Sequence, residues 1–317
     1  MNNLFDVEIA DIVHETDEIR RFILAPLTTC PLPAFHPGAH ITTTMAYKGQ
    51  TIHRTYSLCG DIFHTDTYQI AVRKLSEEGG SGLWHQLPKG HKLRISAPHS
   101  NFPLNPRARH HVLVAGGIGI TPFLPMMQSL QTTGKSFELH FAAKSRAACA
   151  FYDHIQTNHP GQSFYFSADP LRDHGQRLTP SVLASQKIGT HVYICGPVSL
   201  IETFQEAAQR LGYPHANVHV ERFRSHQIKN RAFQVYLQKQ AYGFEVKEDE
   251  SLLEALEKRG LNIPYSCRAG GCGTCKVRVI AGDVLHQDDY WTEAERVNGE
   301  TMLACVSRAH SPLVIDL

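Results

Sequence analysis

The chain of 317 residues contains no unbroken apolar run close to the roughly 20 residues that a membrane-spanning helix requires. Its first residues, MNNLFDVEIADIVHE, interleave acids with apolar side chains and lack the core of a signal peptide, so a cytoplasmic location is expected. An excess of one charge is also missing. Thirty-one Lys and Arg against 30 Asp and Glu leave a net charge of +1, without the basic footprint of a nucleic-acid binder. The 20 histidines include no HExxH pair of a zinc hydrolase, and His110-His111 read as the lead into a strand. No internal repeat or low-complexity segment is present.

What is there is the composition of a folded protein, 42% hydrophobic and 19% charged, at a length that suits two or three domains. The most telling segment is Cys267-Arg-Ala-Gly-Gly-Cys272-Gly-Thr-Cys275, followed by a distant Cys305. C-x4-C-x2-C with a remote fourth cysteine is the plant-type spacing of a [2Fe–2S] cluster. Three thiolates come from one tight loop, and Gly270, Gly271 and Gly273 give its backbone room to approach bridging sulfides. Structural zinc is the alternative, but it favours two close cysteine pairs rather than one trio and a single. Arg268 and Lys276 either compensate the cluster's charge or face a partner. Cys30, Cys59, Cys149 and Cys195 are scattered, and a cytosolic location argues against disulfides among them.

The rhythm of the chain changes twice. Up to about residue 105, six short β-rich runs alternate with turns: DVEIADIV, RRFILAP, HITTTMAY, TIHRTYSL, YQIAVRKL and KLRISAP. That pattern predicts a six-stranded antiparallel β-barrel. From 106 to 226, strands HVLVA, ELHFAA, FYFSA, HVYICG and NVHVERF alternate with helical stretches at Phe123–Leu130, Ala147–Ile155 and Leu200–Leu211, which predicts an α/β domain with a parallel sheet. Residues 224–232 are polar and aperiodic and read as a linker. The block 227–317 reads as a small α+β domain around helix SLLEALEKRG and the cysteine loop.

Further motifs fall on these elements. Arg54-Thr55-Tyr56-Ser57 lies on a barrel strand: a guanidinium for phosphate, a ring to stack on a flat heterocycle, and a hydroxyl for its polar edge. Gly79-Gly80-Ser81-Gly82 opens a short helix, where free N–H groups and the serine form an anion site. Arg54 and the Gly80-Ser81 turn would together clamp one phosphate end, which suits a flavin. Ala115-Gly116-Gly117-Ile118-Gly119-Ile120-Thr121-Pro122 follows a strand directly, with Thr121 placed to cap the next helix, and reads as a pyrophosphate turn. Cys195-Gly196-Pro197 ends another parallel strand, where ligands of such sheets bind. Lys144-Ser-Arg146 ends the strand ELHFAA. It offers no acid for a ribose hydroxyl, while Arg146 could accept the 2′-phosphate of NADPH. Asp288-Asp289 reads as a surface pair.

In combination and order, R-T-Y-S-L, G-G-S, Asn101-Phe-Pro-Leu104, G-G-I-G-I-T-P, C-G-P, Glu221-Arg-Phe223 and C-x4-C-x2-C…C resemble the phthalate dioxygenase reductase-like proteins, over essentially the whole chain. The resemblance implies an FMN-binding barrel (1–105), an NAD-binding domain of ferredoxin-reductase type (106–226) and a plant-type ferredoxin domain of β-grasp fold (227–317). It implies flavin contacts at Arg54, Thr55, Tyr56, Ser57, Gly80, Ser81 and Phe223. It places nucleotide contacts at Gly116, Gly117, Gly119, Thr121, Cys195, Gly196 and Pro197, with Ser57, Thr121 and Cys195 at the meeting of flavin and nicotinamide. Cys267, Cys272, Cys275 and Cys305 would hold the cluster.

NADH gives up two electrons together as hydride, a [2Fe–2S] cluster takes one, and a flavin takes two and releases them singly. The implied activity is an electron relay from NADH through FMN to the cluster and on to a separate Rieske-type terminal oxygenase, by a monomer, with no acid–base residue required. The rival readings are a self-sufficient NAD(P)H oxidase or quinone reductase and a redox-sensing iron–sulfur protein.

Overall fold

A computed structural model describes residues 4–47, 50–77, 79–168, 176–223, 231–265, 268, 270, 273–288, 290–291, 295–296 and 299–317. The chain divides into two compact units, Met1–Phe223 and Arg224–Leu317.

The first unit opens with strands β1 (Leu4–His14), β2 (Ile19–Pro26), β3 (Ala39–Tyr47), β4 (Gln50–Ser57), β5 (Tyr68–Arg73), β6 (Lys92–Ser96) and the short β7 (His99–Ser100). They pair antiparallel in the order β4-β3-β6-β1-β2-β5, with β7 on β3. A bridge between Leu58 and Ile70, and the bond from Cys59 N–H to Gln69 O at 2.9 Å, bring the two end strands together. The six expected strands thus form the expected antiparallel, near-closed barrel. Alternation fixes its interior: Val7 and Ile9, Phe22 and Leu24, Ile70 and Val72, Leu93 and Ile95 point into one core. Helix α1 (Gly79–Gln86) is anchored there by Trp84, fully buried and edge-on to Phe22 at 4.7 Å.

The same unit continues into five parallel strands, β8 (His110–Gly116), β9 (Ser136–Ala143), β10 (Ser163–Phe166), β11 (Thr190–Cys195) and β12 (Val218–Glu221), in the order β10-β9-β8-β11-β12. The near-continuous apolar runs of β8 and β11 reflect burial on both faces. Leu113, Ala115 and Tyr193 pack with α2 (Phe123–Thr132), whereas Val112, Val114 and Ile194 pack with Ile201 and Phe204 of α4 (Val198–Arg210). The sheet order reverses between β8 and β11, which makes their C-terminal ends the switch point of the fold. One helix differs from expectation. The stretch Ala147–Ile155 turns first, and α3 spans Tyr152–Asn158. Phe151 is the reason: it adopts a left-handed conformation (φ 60°), donates its N–H to Glu15 Oε2 at 3.2 Å, and lies under the Arg21 guanidinium.

The second unit contains β13 (Phe233–Leu237), β14 (Tyr242–Val246), α5 (Leu252–Glu257), β15 (Lys276–Ala281), β16 (Val284–Leu285), β17 (Thr301–Leu303), β18 (Arg308–Ala309) and β19 (Leu313–Ile315). Its main sheet runs β14-β13-β19-β15-β17, with β13 and β19 parallel. Ser251 starts α5 with a capping box: Glu254 N–H donates to Ser251 Oγ at 3.1 Å, and Ser251 N–H donates to Glu254 Oε2 at 2.8 Å. Leu252, Leu253 and Leu256 then bury against Val235, Val277 and Ile315. Of the expected linker, 224–230 lie outside the described residues.

Candidate cofactor and electron-transfer sites

The flavin motif and the glycine turn are brought together. A Cβ built on Gly80 would stand 2.7 Å from Arg54 Nε, so the Arg54 side chain of β4 lies directly over the first turn of α1. Only hydrogen fits at Gly80 without moving it. Ser81 Oγ accepts the Leu75 N–H at 3.2 Å and keeps its own hydroxyl hydrogen to donate. Tyr56 stands edge-on to Trp84 at 5.6 Å, and burial pushes its phenol above the usual range. Thr55 is half-buried and paired across the strands with Thr42.

The glycines of the second turn serve close approach to the neighbouring strand end. A Cβ on Gly116 would meet Pro197 Cδ at 2.6 Å, and one on Gly119 would meet the Cys195 carbonyl oxygen at 2.3 Å. Gly117 has φ +54° with no atom within 4 Å of its would-be Cβ, leaving open backbone at the switch point. The structure therefore joins Gly116 and Gly119 to Cys195, Gly196 and Pro197, with Gly117 open between them. Thr121 differs from expectation. A 3-10 turn at Gly117–Ile120 intervenes, Thr121 Oγ1 donates back to Ile118 O at 3.1 Å, and Pro122 takes the cap position of α2 without a side-chain bond.

Glu221 is the residue that reading by motif left without a role. It ends β12 in register with Cys195 at the end of β11. Its Oε2 accepts from Ser57 Oγ at 3.2 Å and faces Cys195 Sγ at 3.9 Å. Burial pushes this carboxyl up to about 8, and Cys195, wholly buried beside it, is raised well above an ordinary thiol. The sequence signal was its position: the C-terminal end of a strand next to the switch point. Phe223, 41% exposed, follows two residues later. Arg146, three residues beyond the end of β9, lies 4.6 Å over the Tyr152 ring and 3.6 Å from Asp153.

In the second unit, pairing of Lys276 with Leu303 sets the third and fourth cysteines side by side. Ala304 N–H donates to Cys275 O at 3.0 Å, and both Cys275 and Cys305 are buried. Cys267 and Cys272 lie outside the described residues. Gly270 (φ +76°) and Gly273 (φ +71°) adopt conformations that favour glycine, and their Cβ positions are filled by Val306 Cγ2 at 2.7 Å and Tyr290 Cε2 at 2.3 Å. Soft thiols buried in a glycine-built cradle fit an iron–sulfur cluster. Arg268 is turned inward. It is bound to Glu257 at 2.6 Å and stacked on Tyr265 at 3.9 Å, with its side chain 8% exposed. Lys276 Nζ lies 5.4 Å over the Trp291 ring. Asp288 is not a surface residue but is 1% exposed, because donors from three segments converge on it; Asp289 lies outside the described residues.

The chain is similar to known proteins along its whole length. Residues 235–310 match the 2Fe-2S iron-sulfur cluster binding domain, and residues 94–218 match the N-terminal domain of dimethylamine monooxygenase subunit DmmA-like proteins. The carnitine monooxygenase reductase subunit of Escherichia coli K12 is 36% identical over 99% of this chain and 98% of its own. The heme-dependent oxidative N-demethylase beta subunit of Ectopseudomonas mendocina is 39% identical over the full length of both. Among solved structures, phthalate dioxygenase reductase, described as a modular structure for electron transfer from pyridine nucleotides to [2Fe–2S], superposes with a TM-score of 0.83 at 32% identity over 99% of this chain and 98% of its own. The chain belongs to the phthalate dioxygenase reductase-like family, the oxidoreductase components of oxygenase systems.

Proposed function

We propose that this protein passes electrons from NADH through FMN to a [2Fe–2S] cluster on Cys267, Cys272, Cys275 and Cys305, and from there to a separate terminal oxygenase. In this reading, residues 1–105 hold FMN, 106–226 hold the nucleotide and 227–317 hold the cluster. The observation that carries it is the Ser57–Glu221–Cys195 cluster. A barrel hydroxyl meets a carboxyl and a thiol from two strand ends of the parallel sheet, within one compact unit.

The residues present fit the groups. Arg54 and the N–H groups and hydroxyl around Gly80-Ser81 would bind the FMN phosphate, and Tyr56 and Phe223 would flank its ring. The backbone at Gly116–Gly119 and at Cys195–Pro197 would receive the dinucleotide at the switch point. When bound, flavin supplies the conversion between a two-electron hydride donor and a one-electron acceptor. Glu221, with a pKa near 8, holds a proton at pH 7 and so can keep or deliver one at Ser57 Oγ. Cys195 stays a neutral thiol and acts by shape rather than as a nucleophile.

Two partner classes are open to test. The sequence motifs favour a Rieske-type oxygenase. A haem-dependent amine demethylase is favoured by the full-length relative from Ectopseudomonas mendocina and by the match at 94–218. Stopped-flow mixing of the NADH-reduced protein with each oxygenase class distinguishes them. Rapid cluster reoxidation by one identifies the partner. Fast turnover with dioxygen or quinone alone points to a self-sufficient oxidase instead.

A further inference from the structure

Beyond β16, a single buried carboxylate organises the described residues that meet Gly270 and Gly273. Asp288 Oδ1 accepts the N–H groups of Tyr290 at 3.2 Å and Trp291 at 3.1 Å. Its Oδ2 accepts from Ser307 Oγ at 3.2 Å and faces His286 Nδ1 at 3.2 Å, and its carbonyl accepts from Arg296 at 2.6 Å. This network touches the loop at both described glycines. The Asp288 Cα stands 3.1 Å from the would-be Cβ of Gly270, and the Tyr290 ring lies flush on Gly273. Trp291 packs on the core that contains Cys275 and meets Tyr290 edge-on at 4.8 Å. Tyr290 itself is 42% exposed, so its ring covers Gly273 on one side and meets solvent on the other.

We propose that Asp288 is a positioning residue for the redox centre, holding Tyr290 across Gly273 so that water is kept off the cluster-binding loop and the reduction potential is kept low. The proposal rests on the four-cysteine cluster reading above. The reason is electrostatic. Reduction adds a negative charge to a centre already ringed by thiolates, and nearby water stabilises that charge, so exclusion of water favours the oxidised form.

The test compares the cluster-loaded wild type with Tyr290→Ala, Tyr290→Phe and Asp288→Asn. The readouts are the midpoint potential from an EPR-monitored titration and the rate of iron transfer to bathophenanthroline disulfonate. Tyr290→Ala and Asp288→Asn are expected to favour reduction about tenfold, about 59 mV for a one-electron couple, and to release iron several-fold faster. Tyr290→Phe should match wild type, since the ring and not the hydroxyl covers the loop. Should Asp288→Asn fail to fold, Tyr290→Ala decides, because its side chain is partly on the surface. A Tyr290→Ala protein with full iron content, unchanged potential and unchanged iron release overturns the proposal. A wild type that binds no iron rejects instead the cluster reading on which it stands.

Discussion

Glu221 is where the chemistry of single side chains is most exposed to experiment. Its carboxyl is raised from 4.5 to about 8 in the folded protein by burial, against the opposing bonds from Ser57 and Cys195. The folded state therefore binds a proton more tightly than the unfolded chain between pH 4.5 and 8. Stability from this group is greatest at the acid end and falls as pH rises through that window, with a limiting slope of about 1.4 kcal/mol per pH unit. Denaturant melts across this range should show that Glu221→Gln removes the decline; identical slopes in both proteins would mean the carboxyl is not perturbed. Arg54 gives a second residue-scale prediction. Loss of a charge-assisted phosphate contact costs about 1.5–3 kcal/mol, so Arg54→Ala should weaken FMN binding roughly ten- to hundredfold by fluorescence titration. Gly80→Ala, which pushes on the same side chain, should weaken it in the same direction and less.

At the scale of elements, the barrel strands and the parallel sheet were legible because their signals are local: β-branched runs between turns, then apolar strands alternating with helices. The start of α3 was not, because Phe151 is held left-handed by Glu15, a residue 136 positions away in sequence. Asp288 was misread for the same reason. A D-D pair looks solvated until Ser307 and the backbone of 290–291 converge on it. The C-x4-C-x2-C…C spacing foreshadowed that Cys275 and Cys305 lie close together, while Glu221 needed the register of β11 and β12 to bring it to Ser57. Two element-level tests follow. A methyl on Gly119 would meet backbone at 2.3 Å, so Gly119→Ala should destabilise the β8–α2 junction by about 1–3 kcal/mol and lower the melting temperature of the first unit. Ser251→Ala removes the cap of α5 and should cost about 1 kcal/mol in denaturant unfolding of the second unit.

For the whole molecule, the order of parts along the chain matters more than any single site. A barrel and a nucleotide sheet share the first compact unit, and the four-cysteine pattern belongs to the second. Among the described residues, no helix is long and apolar enough to cross a membrane. The most direct test of the relay is an anaerobic titration of the purified protein with NADH, followed by visible absorbance and EPR on the same sample with flavin and iron analysis. The account predicts one FMN and two irons per chain, bleaching of both chromophores, and a reduced [2Fe–2S] signal after uptake of three electrons. A colourless protein, or a flavin that bleaches with no reduced-cluster signal, would contradict it.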